Sequence, residues 1–129
     1  MMISSQVSAF DPDDLQRLID TGECAKCDLS DADLIGADLS EANLKGANLR
    51  GASLESAILM DANLRGAYLF EANLKRASLG AANLVNVNLS GANLGGADLG
   101  GAKLYGAYMN GAILCNTTMP DGSVIYSGC

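Results

Sequence analysis

Residues 42–66 read Ala42-Asn-Leu44-Lys-Gly46, Ala47-Asn-Leu49-Arg-Gly51, Ala52-Ser-Leu54-Glu-Ser56, Ala57-Ile-Leu59-Met-Asp61, Ala62-Asn-Leu64-Arg-Gly66: five successive blocks of five residues. Each has Ala first, a mostly short polar residue second and Leu third. Followed outward, the register runs without a slip through Leu29, Leu34, Leu39, Leu44, Leu49, Leu54, Leu59, Leu64, Leu69, Leu74, Leu79, Leu84, Leu89, Leu94, Leu99, Leu104, Met109, Leu114 and Met119. These 19 blocks hold Ala two residues before the large side chain in 16 cases, with Cys27, Val87 and Thr117 as the exceptions. A fixed internal period of this kind signals a repeat architecture.

A period of five fits neither the 3.6 of a helix nor the 2 of a flat strand. An Ala-rich helix would also carry Gly46, Gly51, Gly66, Gly91, Gly96 and Gly101 at a cost of ~1 kcal/mol each. The pattern makes sense if the chain turns a corner every five residues, so that the small residue and the Leu both point inward from one short side. Four sides close a square coil of 20 residues, and stacked coils pair through parallel backbone hydrogen bonds at a spacing of ~4.8 Å. Nineteen blocks make about 4.75 coils. The Leu and Met side chains of this register from Leu29 to Leu114 are the expected core, and Gly at the corners relieves the backbone there.

The blocks resemble the pentapeptide-repeat family, whose consensus is similar to Ala-(Asp/Asn)-Leu-x-x. Ala-Asn-Leu itself stands at 42–44, 47–49, 62–64, 72–74, 82–84 and 92–94. The resemblance implies an all-β solenoid, a right-handed quadrilateral parallel β-helix. The short length, the helix-led start and the ending Asn-Thr-Thr-Met-Pro-Asp-Gly-Ser look most like short cyanobacterial members. What the resemblance implies for function is a non-enzymatic module for protein–protein interaction or a regulatory scaffold. The alternative it offers is a DNA-mimicking inhibitor of a DNA-binding enzyme such as gyrase.

Composition weighs on both. The chain of 129 residues has a net charge of −7 and contains no His and no Trp. Without His the commonest general base and metal ligand is missing, and no nucleophile–base set or phosphate-binding Gly loop replaces it; no cofactor, metal or small-molecule substrate is expected. Fifteen acids against eight bases argue against binding nucleic acid. The charge is also uneven: residues 1–41 carry net −8 and residues 42–129 net +1. A DNA mimic needs negative columns along its length, which this distribution disfavours. Thr is too scarce for the flat Thr arrays of ice-binding β-helices. No apolar run reaches the ~18 residues of a membrane span, and Met1–Phe10 lacks the basic start and apolar centre of a signal peptide.

Three segments follow. Residues 1–23 form an N-terminal segment with a capping helix over about 11–21: Asp11 as N-cap, Pro12 at the first position, Asp13 and Asp14 at the positive end of the dipole, Gly22 as the stop. Phe10 and Leu15 suit a hydrophobic staple, and Leu15, Leu18 and Ile19 share a face that lids the first coil. Residues 24–121 are the β-helix. Residues 122–129 are a tail in which Val124-Ile125-Tyr126 forms a short strand or folds over the last coil. The four cysteines lie at opposite ends, ~19 Å apart, so no site uses all four. Cys24 and Cys27 form a local disulfide, act as a redox pair or stay as buried thiols, Cys27 taking an inward Ala position; Cys115 and Cys129 form a second candidate disulfide. The compartment expected is cytoplasmic, with an oxidising lumen or the periplasm as the alternative that two disulfides would favour.

Residues 20 apart share a side. Asn43, Asn63, Asn83 and Lys103 form a column suited to amide laddering between coils. Tyr68 and Tyr108 share a column with Asn48 and Asn88, Phe70 lies beside Tyr68, and Tyr105 lies close to Tyr108. Tyr68, Phe70, Tyr105 and Tyr108 are therefore the candidate interaction surface, since exposed aromatic residues are enriched in interfaces. The partner expected is a protein, with the rod itself a monomer or weak oligomer and no membrane attachment.

Overall fold

The computed structural model describes residues 10–129; the N-terminal stretch 1–9, including the segment read above as lacking signal-peptide features, lies outside the described residues. Among the described residues helix α1 (Pro12–Thr21) comes first, and a stack of square coils follows. A two-stranded antiparallel hairpin, β1 (Leu114–Thr118) and β2 (Val124–Ser127), closes it.

The main chain accounts for the square. In each block the Ala N–H donates to the carbonyl of the preceding Leu, as from Ala47 to Leu44 at 3.0 Å, closing a four-residue turn. The third residue of that turn has positive φ, 67° at Gly46 and 61° at Glu41, the requirement of a type II turn. Between turns, Leu64 N–H donates to Asn83 O at 2.8 Å, Gly66 N–H to Val85 O at 2.9 Å, and Asn63 N–H back to Ala42 O at 2.9 Å. Repeated at intervals of 20 residues, these bonds tie every coil to the next in parallel.

The bonded stack takes in one side more than the apolar register suggests. Glu23 pairs with Asn43, Cys24 N–H donates to Asn43 O at 2.8 Å, and Lys26 has the corner φ of 61°. Cys24 thus stands where Leu stands elsewhere, and the stack begins at Glu23, one residue before the expected boundary. Each of the four sides then carries five stacked residues, from Glu23 to Lys103 on the first and from Asp38 to Thr118 on the fourth.

Inside, Leu29, Leu44, Leu49, Leu54, Leu59, Leu64, Leu69, Leu74, Leu79, Leu84 and Leu89 are fully enclosed, and Leu34, Leu39, Leu94 and Leu99 are buried. Leu104, Met109 and Leu114 pack against this core but are only partly covered, because they belong to the final coil. At the other end α1 is built from its caps: Asp11 Oδ1 accepts from Asp13 N–H at 2.9 Å, and Gly22, with φ 72°, donates to Leu18 O at 2.9 Å. Leu18 is buried, and Phe10 and Leu15 pack on the core. Ile19, expected on the covering face, is instead 62% exposed. One residue on a helix is a turn of ~100°, and the first coil offers a stripe wide enough for Leu15 and Leu18 alone.

Candidate interaction surface

Counting main-chain donors locates the unusual positions. Four of the five N–H groups in a block reach carbonyls; the fifth, on the residue after Leu, has no carbonyl in reach. The polar residue before Leu supplies the acceptor. Asn43 Oδ1 accepts from Lys45 N–H at 3.2 Å, Asn63 from Arg65 at 3.1 Å, and Asp98 from Gly100 at 2.8 Å. All eleven Asp and Asn residues at this place in the block do the same. The side chain that bonds its own backbone two residues on is the Asx turn. This corrects the amide ladder expected of the Asn43 column: the oxygens serve their own corners, and in that column Asn43 Nδ2 to Glu23 Oε1, at 3.2 Å, is the bond that crosses between coils. A backbone donor left without a partner is the stronger demand.

Tyr68 and Tyr108 break the rule. They stand among Asp28, Asn48 and Asn88 in one column, and neither has a group that can cap, so the N–H groups of Phe70 and Asn110 have no acceptor among the described residues. Tyr68 is 50% exposed, Tyr108 59% and Tyr105, on the adjoining side, 83%. Phe70 is only half-exposed: the Arg50 guanidinium, one coil earlier, lies over its ring 5.0 Å from the centroid, a cation–π contact. The structure thus brings three tyrosines onto one corner of the rod and tucks the Phe beneath an arginine. Ser53, Ile58, Ser78 and Lys103 give no such cap either, Ile58 standing exposed with Met60 on the fourth side.

The cysteines are joined as Cys24–Cys27 and Cys115–Cys129, with Cα separations of 5.2 and 4.8 Å. The first pair is buried under α1, where Arg17 Nη2 lies 2.9 Å from Cys27 Sγ. The second ties the exposed chain end to β1. Beside it a groove of about 450 Å³ is lined by Lys75, Arg76, Asn93, Gly95, Gly96, Ile113 and Gly128. Arg76 is held there by Glu55 at 2.5 Å. Among the described residues no three His, Cys, Asp or Glu side chains gather as metal ligands.

The architecture and its corner chemistry define a parallel β-helix of five-residue sides, with most of the variation at the outward positions. The chain belongs to the pentapeptide-repeat family: the family's description, pentapeptide repeats, matches in eight copies over residues 27–66, 47–84 and 82–119. Among solved structures it is similar to a pentapeptide repeat protein from the thylakoid lumen of Arabidopsis thaliana, with 33% identity and a TM-score of 0.61, covering 81% of this chain and 70% of that one. It is also similar to Rfr23, a pentapeptide repeat protein from the cyanobacterium Cyanothece, with 30% identity and a TM-score of 0.55, covering 78% of this chain and 92% of that one. Comparison with curated proteins gives no match.

Proposed function

We propose that the protein is a non-catalytic interaction rod whose binding surface is the corner bearing Tyr68, Tyr105 and Tyr108. In it helix α1 caps the stack, residues 23–121 form the rod and residues 122–129 close over part of its far end. One observation carries this. At Tyr68 and Tyr108 the chain forgoes a corner cap that every Asp and Asn at that place provides, and a net hydrogen bond contributes ~0.5–1.5 kcal/mol. Neither ring is buried in exchange. Residues that break a local rule without a structural return mark functional places, and exposed tyrosines are common anchors of protein interfaces.

The mid-body cations Lys45, Arg50, Arg65, Lys75 and Arg76 leave no continuous negative column, which weighs against DNA mimicry. Two disulfides, together with a similar protein from a thylakoid lumen, favour an oxidising compartment over the cytoplasm.

The double change Tyr68→Asn and Tyr108→Asn is the test. It should raise the melting temperature, since two corner N–H groups gain acceptors, and it should abolish cross-linking of the tagged protein to its partner in its native cells. A lowered melting temperature with cross-linking intact would mean that the rings serve the fold.

A further inference from the structure

The same pair of sides that carries the tyrosines also carries most of the rod's cations. From the second coil onward, the first and second sides comprise 42–51, 62–71, 82–91 and 102–111. They hold Lys45, Arg50, Arg65 and Lys103 against one carboxylate, Glu71. The third and fourth sides over the same coils hold Lys75 and Arg76 against Glu55, Asp61, Asp98 and Asp121. The two halves also use their cations differently. On the acidic half Arg76 is ion-paired with Glu55. On the tyrosine half none of the four cations meets a carboxylate within ion-pair distance among the described residues, and Arg50 lies over Phe70.

We infer that the partner of the tyrosine surface presents an acidic, extended polypeptide segment, held by Lys45, Arg65 and Lys103 beside the rings. This rests on the interaction reading above and adds the chemistry of the partner. Unpaired cations around aromatic anchors leave the charge complement to be supplied from outside, and tyrosine hydroxyls donate readily to carboxylates. The extent of the surface fits a short segment. Coils two to five span about 14 Å at the inter-coil spacing, the length of four or five extended residues. Below them the same two sides turn acidic, with Glu23, Asp28 and Asp31 against Lys26 in the first coil. A nucleic-acid strand following the rod would run into those carboxylates, whereas a short acidic peptide stops before them.

The experiment uses the intact, disulfide-bonded protein and three fluorescent probes: a peptide alternating Glu and Leu, its Lys–Leu counterpart, and a single-stranded oligothymidylate. Anisotropy titrations at low and high salt should show the Glu–Leu peptide binding, weakening as salt rises, and the other two not binding. Lys45→Glu with Arg65→Glu should weaken the Glu–Leu peptide by at least about tenfold, while Lys75→Glu on the opposite half changes it by less than about twofold. Should the reversed pair fail to fold, as judged by its circular dichroism melt, Lys45→Gln with Arg65→Gln replaces it with the same expectation. Tight oligothymidylate binding, indifference to the charge changes, or no binding of the Glu–Leu peptide would each overturn the inference. So would self-association in sedimentation velocity that the reversed pair abolishes, since the acidic half of a second copy would then be the occupant. Failure here with the Tyr68→Asn effect on cross-linking intact removes the acidic partner and leaves the tyrosine surface. Charge-dependent binding that Tyr68→Asn leaves unchanged removes the tyrosines and leaves the acidic partner.

Discussion

The two ends of the rod solve one problem in unequal ways. At the start, α1 lies across the first coil, Leu18 is buried, and Asp14 Oδ2 accepts from Asp28 N–H at 2.8 Å, so the helix is stitched to the coil beneath it. At the finish, the hairpin covers only the third and fourth sides. Met119 N–H is satisfied by Ser123 O at 2.7 Å, but the N–H groups of Leu104, Gly106, Met109 and Gly111 have no acceptor among the described residues. A solenoid needs a cap at each terminus. Here one end is closed and the other is half open, so stability is expected to fall along the axis toward the final coil.

The largest effect that can break this comparison is in the core. Leu64→Ala, in a middle coil, should cost ~2–5 kcal/mol through the cavity it leaves. Leu104→Ala, in the half-covered coil, should cost about 1–2 kcal/mol because less apolar surface leaves water there on folding. Equal losses in urea melts would show that the far end is as well closed as the middle.

The disulfides sharpen the contrast. Cys115–Cys129 spans 14 residues and ends at an exposed cysteine, whereas Cys24–Cys27 spans three and is buried. Reduction followed by alkylation and mass spectrometry should label Cys115 and Cys129 first. Loss of that longer loop should cost about 3 kcal/mol, against about 2 for the shorter one. Labelling of Cys24 and Cys27 first would mean that α1 opens more readily than the hairpin.

In one respect the ends should agree, and the effect is the smallest. The Ser40 hydroxyl, and then its N–H, hold the Asp38 carboxylate below its ordinary value of 3.8; Ser123 does the same for Asp121 at the other end. A depressed folded-state value contributes stability that is present above about pH 4 and is lost as pH falls through the folded-state value. NMR titration should place both carboxylates below 3.8, and either one titrating at or above that value would deny it the serine bonds.

How much of this was legible in sequence follows from what each residue answers to. The Leu and Ala columns were readable because inward positions obey only the period. The corner cap was not: Asp and Asn before Leu look like ordinary solvated residues until the donor on the following block position is known to lack a carbonyl. Glu23-Cys24-Ala25 hid a side because Gly22 and Cys24 replace the expected Ala and Leu. Ile19 misled because helical periodicity gives the direction of a face but not the width of the surface waiting for it. The cysteine pairings stayed open because Cα separations near 5 Å exist only once the coils and the hairpin are in place. The tyrosines were visible as an aromatic cluster, but the cost of placing them there was not.

Bonding at intervals of 20 residues also dictates which changes in length the molecule tolerates. Duplicating one block, say after Asn86, would preserve every local turn and hydrogen bond while rotating all that follows by a quarter turn. Tyr108 would leave the column of Tyr68 for a neighbouring side, and Lys103 would part from Arg65 and Lys45. Duplicating four blocks restores the alignment and merely lengthens the rod by one coil. Variants and relatives that keep this surface should therefore differ downstream of Tyr68 by whole coils, whereas those differing by single blocks can share the fold with their faces dealt out in a different order.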